Sequence, residues 1–435
     1  MFLIYSETET ATVAQNLGAS EYSYYFVLKE FRSVLEDMGL VLPLHDPETE
    51  ADAVWRNAAR HMQKCTLFSF APPHKTYIPQ CCPTIPVFAW EFDTLPDEIW
   101  DEDTRHDWVR VLRQTGRAIT HSTHTVRIVR RALGPGYPIT CIPAPVWDRF
   151  AHFYAPDKRA VVPPNPLEIE VRGRIYDSQK IELSVYASSL RRIHGLAPLP
   201  ENCGTRETYS HLSLSGVIYT AVLCPMDGRK NWADMLAGFC WALRDAEDAT
   251  LVLKLTHHDC GLAISAMLEE MAKLSPFRCR IILIDGYLPD TNYDNLVKAT
   301  TYTVNTSHGE GQCLPMMEFM SAGKPAISPN HTGMADYVNS ANGFVVHSHP
   351  EPTHWPHDPR QAYRTLRYRI DFESLLGAYQ ASYETAKSDP ARYNRMAQAA
   401  HEQLRQHCSR ATVREALRSF LAMPAARGKA LEMRA

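Results

Sequence analysis

The sequence predicts an α/β protein made of two doubly wound, Rossmann-like domains that face each other across a cleft. Three observations carry this. The chain has 435 residues, more than a single hydrophobic core usually serves. Its composition, 45% hydrophobic, 22% charged and 10% aromatic, is that of a globular protein. Short β-rich runs alternate with helical patterns, the signature of βαβ units and a mainly parallel sheet.

In the first half the runs are "MFLIYS", "LVLPL", "CTLFSF", "IPVFAWEF", "RAITHS" and "YPITCIPAPV". Between the first two, Tyr25, Leu28, Phe31, Leu35 and Met38 follow helical spacing. After the fifth, Ser122 suits a helix N-cap. A proline-rich connection follows, in which "VVPPNPLEIEVRGRIYDSQKIELSVY" alternates like a β-hairpin. The first domain is therefore expected over 1–210, with this connection and hairpin at 150–210. The second, over 211–390, holds "GVIYTAVLC", "ATLVLKLTH", "RCRIILIDG", "TYTVNTS", "KPAISP" and "NGFVVHS". Residues 391–435 read as helices that cross back to the first domain.

A net charge of -4, from 45 basic and 49 acidic residues, gives no electrostatic footprint for nucleic acid. The amino end has no basic start, and its apolar run is too short for a signal peptide or a span. A cytoplasmic protein is expected, with its 11 scattered cysteines reduced. The basic residues of the tail "AARGKALEMRA" are a candidate peripheral contact with an anionic membrane surface.

The chemistry concentrates in "SHGEGQCLPMMEFMSAGKPAISP", Ser307 to Pro329. Gly309 and Gly311 permit a tight strand-to-helix turn, and Pro315 suits the first turn of a helix that Gly323 and Pro325 stop. The N–H groups of Gln312, Cys313 and Leu314 lie at the positive end of that helix, which favours a phosphate. Glu310 and Glu318, with seven residues between them, are suited to accept hydrogen bonds from the hydroxyls of two sugar rings. Together they fit a nucleotide sugar. Adjacent Arg229 and Lys230 follow a strand and a turn, a place for cations that hold the negative charge of a departing diphosphate.

Across the expected cleft, Trp90 and Glu91 at the end of "VFAWEF" are either an acceptor-sugar surface or a core tryptophan beside a surface acid. His121 is a further candidate for the acceptor side. No metal or cofactor is expected. The H-x-x-H of His121 and His124 lacks a third ligand, and the D-x-D of Asp101 to Asp103 sits in a charged helix start.

"E-G-Q-C-L-P-M-M-E" resembles the E-x7-E motif of retaining glycosyltransferases of the GT-B fold, family 4 in particular. The resemblance covers Ser215 to Ser348 most fully and the first 150 residues in outline. It implies a metal-independent transferase that uses a nucleotide-diphosphate sugar and a carbohydrate or glycolipid acceptor, in surface polysaccharide biosynthesis. It further implies that Glu318 binds the donor ribose, Glu310 contacts the transferred sugar, and Arg229 and Lys230 stabilise the leaving diphosphate. Gly286, Tyr287 and Leu288 would surround the base, and Gly18 resembles the family's phosphate-closing loop. Two departures stand out. Gln312-Cys313 replaces the usual aromatic-glycine pair, and Arg229 adjoins Lys230 where several residues are usual. The alternatives are an epimerase or a phosphorylase on the same fold, or a silent sugar-nucleotide-binding subunit.

Overall fold

The computed structural model describes residues 1–8, 22–156, 161–162, 165–187, 200 and 208–425. Six strands form a parallel sheet in the order β2-β1-β3-β4-β5-β6: β1 (Phe2–Tyr5), β2 (Val41–Pro43), β3 (Thr66–Phe70), β4 (Thr84–Phe88), β5 (Ala118–Thr120) and β6 (Ile139–Cys141). A second sheet is built on β7 (Leu167–Asp177), β8 (Tyr209–Leu214), β9 (Val217–Leu223), β10 (Ala249–Leu255), β11 (Arg280–Tyr287), β12 (Tyr302–Val304), β13 (Ala326–Ser328) and β14 (Gly343–Val345). Its order is β14-β13-β12-β9-β10-β11-β7-β8, with β7 and β8 antiparallel. The six parallel members follow the order of dinucleotide-binding sheets, with a switch point between β9 and β12.

All twelve β-rich runs become strands. A central strand of a parallel sheet is covered on both faces, so it reads as an unbroken apolar run; every residue of β10 is buried. The helix Thr123–Leu133 starts at the expected cap, where Ser122 Oγ accepts the Thr125 N–H at 3.1 Å.

The connecting segment departs from expectation. Leu167–Asp177 is one long strand, not a hairpin, and it pairs with β11 and β8 in the second sheet rather than with the first domain. Its alternation is genuine, but its partners are distant in sequence. A second departure is an antiparallel ribbon, β15 (Ser348–His354) and β16 (Tyr363–Ile370), outside both sheets. Pro350 and Pro352 masked it, because proline argues against a strand except at an edge or in a ribbon with free outer groups.

The two domains are tightly joined. The helix Leu314–Ser321 puts Met316, Met317 and Met320 into the cluster that fills the first domain. The last helix, Arg410–Ala422, adds Val413, Leu417 and Phe420 to the same cluster. Burying that stripe of three contributes on the order of 5 kcal/mol. No helix among the described residues is long and apolar enough to cross a membrane.

Candidate active site

The carboxyl ends of β4, β9 and β12 meet at the cleft, where ligands bind in open α/β sheets. After β9, Asp227 caps the short 3-10 turn Gly228–Lys230 by accepting the Arg229 N–H at 3.1 Å. Asn231, in the left-handed region at φ 49°, then turns the chain into the helix Trp232–Ala242. This turn is stitched to the loop after β12: Asn231 Nδ2 donates to the Thr306 carbonyl at 3.2 Å, and the His308 N–H donates to the Arg229 carbonyl at 2.8 Å.

That stitching brings the expected charges into contact. Lys230 Nζ donates to both oxygens of Glu310, at 2.7 and 2.9 Å, and Ser307 Oγ donates to Glu310 Oε1 at 2.6 Å. Arg229 Nη1 lies 3.6 Å from Glu310 Oε2 and 2.8 Å from Glu91 Oε1, so the cluster spans both domains. Burial pushes the Glu310 carboxyl up, but Lys230 and Arg229 outweigh it and hold it below the usual carboxylate range. Burial works against the charges of Lys230 and Arg229 as well. Glu310 for the lysine, and Glu91 with Asp227 for the arginine, more than offset it. Both cations and Glu310 are therefore charged near neutral pH. Glu91 differs, because burial prevails over Arg229 and raises its carboxyl.

Glu318 lies one turn into its helix, against a different set of neighbours. The Tyr293 hydroxyl donates to Glu318 Oε2, and Tyr293 belongs to the helix Asp290–Ala299, whose Asp290 pairs with Arg149 at 3.1 Å. Burial pushes the Glu318 carboxyl up to about 7, against the Tyr293 hydrogen bond and the charge of Arg149. Glu310 precedes the helix and Glu318 lies within it, and the two carboxylates have different partners.

The other expected residues fall in several places. Gly311 touches the first domain, where an added Cβ would meet Ala89 Cβ at 2.6 Å. Gln312 Oε1 accepts the Ala144 N–H at 3.1 Å, and its carbonyl accepts the Tyr337 hydroxyl at 2.7 Å. Cys313 is the N-cap at φ 58°, and Asn305 Nδ2 donates to its sulfur at 3.0 Å. Burial pushes that thiol up to about 12, so it is not a nucleophile at neutral pH. Leu314 opens the helix.

Gly286 lies opposite Gly173 in the β11–β7 pair, where a Cβ would meet the Arg172 carbonyl at 2.4 Å. Strand crossing alone thus demands glycine there. Tyr287 is half exposed, whereas the Leu288 side chain is buried in the core. Gly18 lies outside the described residues.

On the first-domain side, the Trp90 ring is not offered to a sugar. It is buried against Phe92 and Trp108, and its Nε1 donates to the Thr94 carbonyl at 2.9 Å. Aromatic runs at a strand end serve packing and recognition equally well, so sequence alone could not separate the two. His121 is also buried. Its Nδ1 bonds the Ile142 carbonyl at 2.9 Å, and Nε2 has no hydrogen-bond partner among the described residues. Burial pushes that imidazole down to about 4, leaving it neutral at pH 7. Only Glu91 of the three reaches the charge cluster. No group of three or more histidine, cysteine, aspartate or glutamate residues suited to a metal ion occurs among the described residues.

Sequence reasoning missed Asp227, Ser307, Thr332, Tyr293 and Arg149. The Glu310 N–H donates to Thr332 Oγ1 at 3.0 Å, a contact between loops that no local pattern announces. Ser307 was findable, since a polar run after an apolar strand marks a loop at the sheet's carboxyl edge.

Residues 278–357 match the family model for glycosyl transferases group 1. No curated protein matches the chain in sequence at a significant level. Among solved structures, HepE of Anabaena in complex with UDP and glucose is similar over 97% of this chain and 99% of its own, at 12% identity and a TM-score of 0.54. A glycosyltransferase from Rickettsia africae is similar over 96% and 97%, at 11% identity and a TM-score of 0.51. TarM of S. aureus matches over 82% of this chain, at 10% identity and a TM-score of 0.49; the chain spans 55% of TarM. The chain has the GT-B fold, two facing α/β domains with the charged cluster between them, and part of its second domain is similar to group 1 glycosyl transferases.

Proposed function

We propose that the chain is a glycosyltransferase that moves a sugar from a nucleotide-diphosphate sugar to a carbohydrate or glycolipid acceptor. The observation that carries this is the pairing of Lys230 and Arg229 with Glu310 at the facing strand ends, with Glu318 one turn into the helix that follows. In this reading the two cations take the negative charge of the departing diphosphate. Glu310, kept ionised by those cations, orients the transferred sugar through its hydroxyls. Glu318 accepts the ribose hydroxyls, and the half-exposed Tyr287 lies beside the base. No cofactor or metal enters the scheme. Retention of configuration, membership of family 4 and a role in surface polysaccharide synthesis extend the proposal, and they rest on the sequence resemblance. Contact between the domains limits the access of water to the reacting sugar.

The test is turnover by the purified chain. UDP-, GDP-, ADP- and dTDP-sugars are supplied with and without oligosaccharide or lipid acceptors, and free nucleoside diphosphate is measured. The proposal expects acceptor-stimulated release from one nucleotide class, lost in Lys230→Ala. Release without any acceptor that yields an isomerised sugar would point to an epimerase. Absence of turnover with any sugar nucleotide and acceptor would contradict the proposal.

A further inference from the structure

Arg229 Nη1 already faces two partners where a phosphate would need it. Each terminal nitrogen of a guanidinium carries two N–H donors. Nη1 donates to the Gly309 carbonyl at 2.8 Å and lies 2.8 Å from Glu91 Oε1, while Nη2 holds Asp227 Oδ2 at 2.8 Å. Gly309 and Asp227 belong to the same domain as Arg229, and Asp227 is fixed as the cap of its turn. Glu91, just past β4, comes from the opposite domain. It can therefore leave without unmaking the turn that presents Arg229.

Charge favours the same exchange. Glu91, Asp227 and Glu310 set three acids against the two cations Arg229 and Lys230. A phosphate added to that cluster meets net negative charge unless one acid withdraws. Burial already disfavours the charged form of Glu91, whereas Glu310 is held ionised by Lys230.

We propose that Glu91 is a positioning residue that competes with the sugar-bearing distal phosphate of the donor for Arg229 Nη1, so that donor binding releases a contact between the domains. This rests on the reading of Arg229 and Lys230 as the cations of the diphosphate. It makes the site sensitive to the second phosphate in particular. A nucleoside monophosphate, held by its base, ribose and first phosphate, does not reach Nη1 and does not compete.

The experiment is calorimetric binding of UDP, GDP, ADP and dTDP, and of the corresponding monophosphates, to wild type, Glu91→Gln and Glu91→Asp. The inference expects Glu91→Gln to bind the preferred diphosphate about tenfold more tightly, the scale of one charge-assisted hydrogen bond, with monophosphate affinity unchanged. Glu91→Asp keeps the charge but shortens the reach, and should shift diphosphate affinity in the same direction by less. That second variant keeps the test decisive should Glu91→Gln not fold. Diphosphate affinity that is unchanged or weakened in the variants, with wild type binding normally, would overturn the role of Glu91 and leave the donor site standing. Equal changes for mono- and diphosphates would also overturn it. Failure of wild type to bind any diphosphate would remove the donor-site reading and this inference together.

Discussion

Lys230, its side chain 19% exposed, and the buried Glu310 form a bidentate pair, and each makes the other's charge tolerable. Breaking such a pair strands the remaining charge. Lys230→Ala should therefore cost about 3 kcal/mol of stability, read by chemical denaturation, as well as abolishing turnover. A variant as stable as wild type would show that Lys230 does not offset the charge of the buried Glu310. Glu318 supports a pH prediction. Its carboxyl is raised to about 7 in the folded protein, above its unfolded value. Folding therefore binds a proton there between the two values. The stability due to this group is fully present below the unfolded pKa and is lost as pH rises through about 7. Binding has the opposite sign, because ribose hydroxyls need the ionised, proton-accepting form. Diphosphate affinity should thus rise between pH 6 and 8 in wild type, and this component should vanish in Glu318→Gln. Identical pH profiles for the two proteins would contradict the assignment. The motif spacing made both acids legible in the sequence. Tyr293 and Arg149, which set the environment of Glu318, were not, because they reach it from separate helices.

At the scale of elements, the strands were legible because burial on both faces leaves them continuously apolar. The departures have equally physical causes. Strand β7 looked like half of a local hairpin since alternation reports a half-exposed strand but not its partner. That partner, β11, approaches so closely that both Gly173 and Gly286 are required, with Gly173 at φ 149°. Gly286→Ala would drive a Cβ into backbone and should cost about 3 kcal/mol, measured by denaturant unfolding. A near-neutral substitution would mean that β7 does not pack there. The β15–β16 ribbon, hidden by its prolines, ties the domains together. The Thr94 N–H donates to Thr365 Oγ1 at 3.1 Å, Trp355 Nε1 donates to Thr94 Oγ1 at 3.1 Å, and Arg364 pairs with Glu98 at 2.6 Å. Further along β16, the Tyr368 N–H reaches the His308 carbonyl at 2.8 Å, two residues from Glu310. This ribbon thus connects the charged loop with the first-domain wall of the cleft.

For the whole molecule, the two-sheet architecture followed from the run of elements, whereas the closeness of the domains did not. Contacts such as Gly311 against Ala89, Gln312 with Ala144 and Glu91 with Arg229 join positions far apart in the chain, and no local periodicity encodes them. On the proposed function they matter, because a transferase must hold two substrates against each other while keeping water away. On the proposed function the cleft binds a nucleoside diphosphate, with its ribose on Glu318. Calorimetric titration of wild type and Glu318→Ala, at pH 8, with UDP, GDP, ADP and dTDP puts this to the test. One preferred diphosphate is expected, bound about 1.5 to 3 kcal/mol more weakly by the variant, as for a charged hydrogen-bonding group. Equal affinity in the two proteins, or no binding of any diphosphate to wild type, would contradict it.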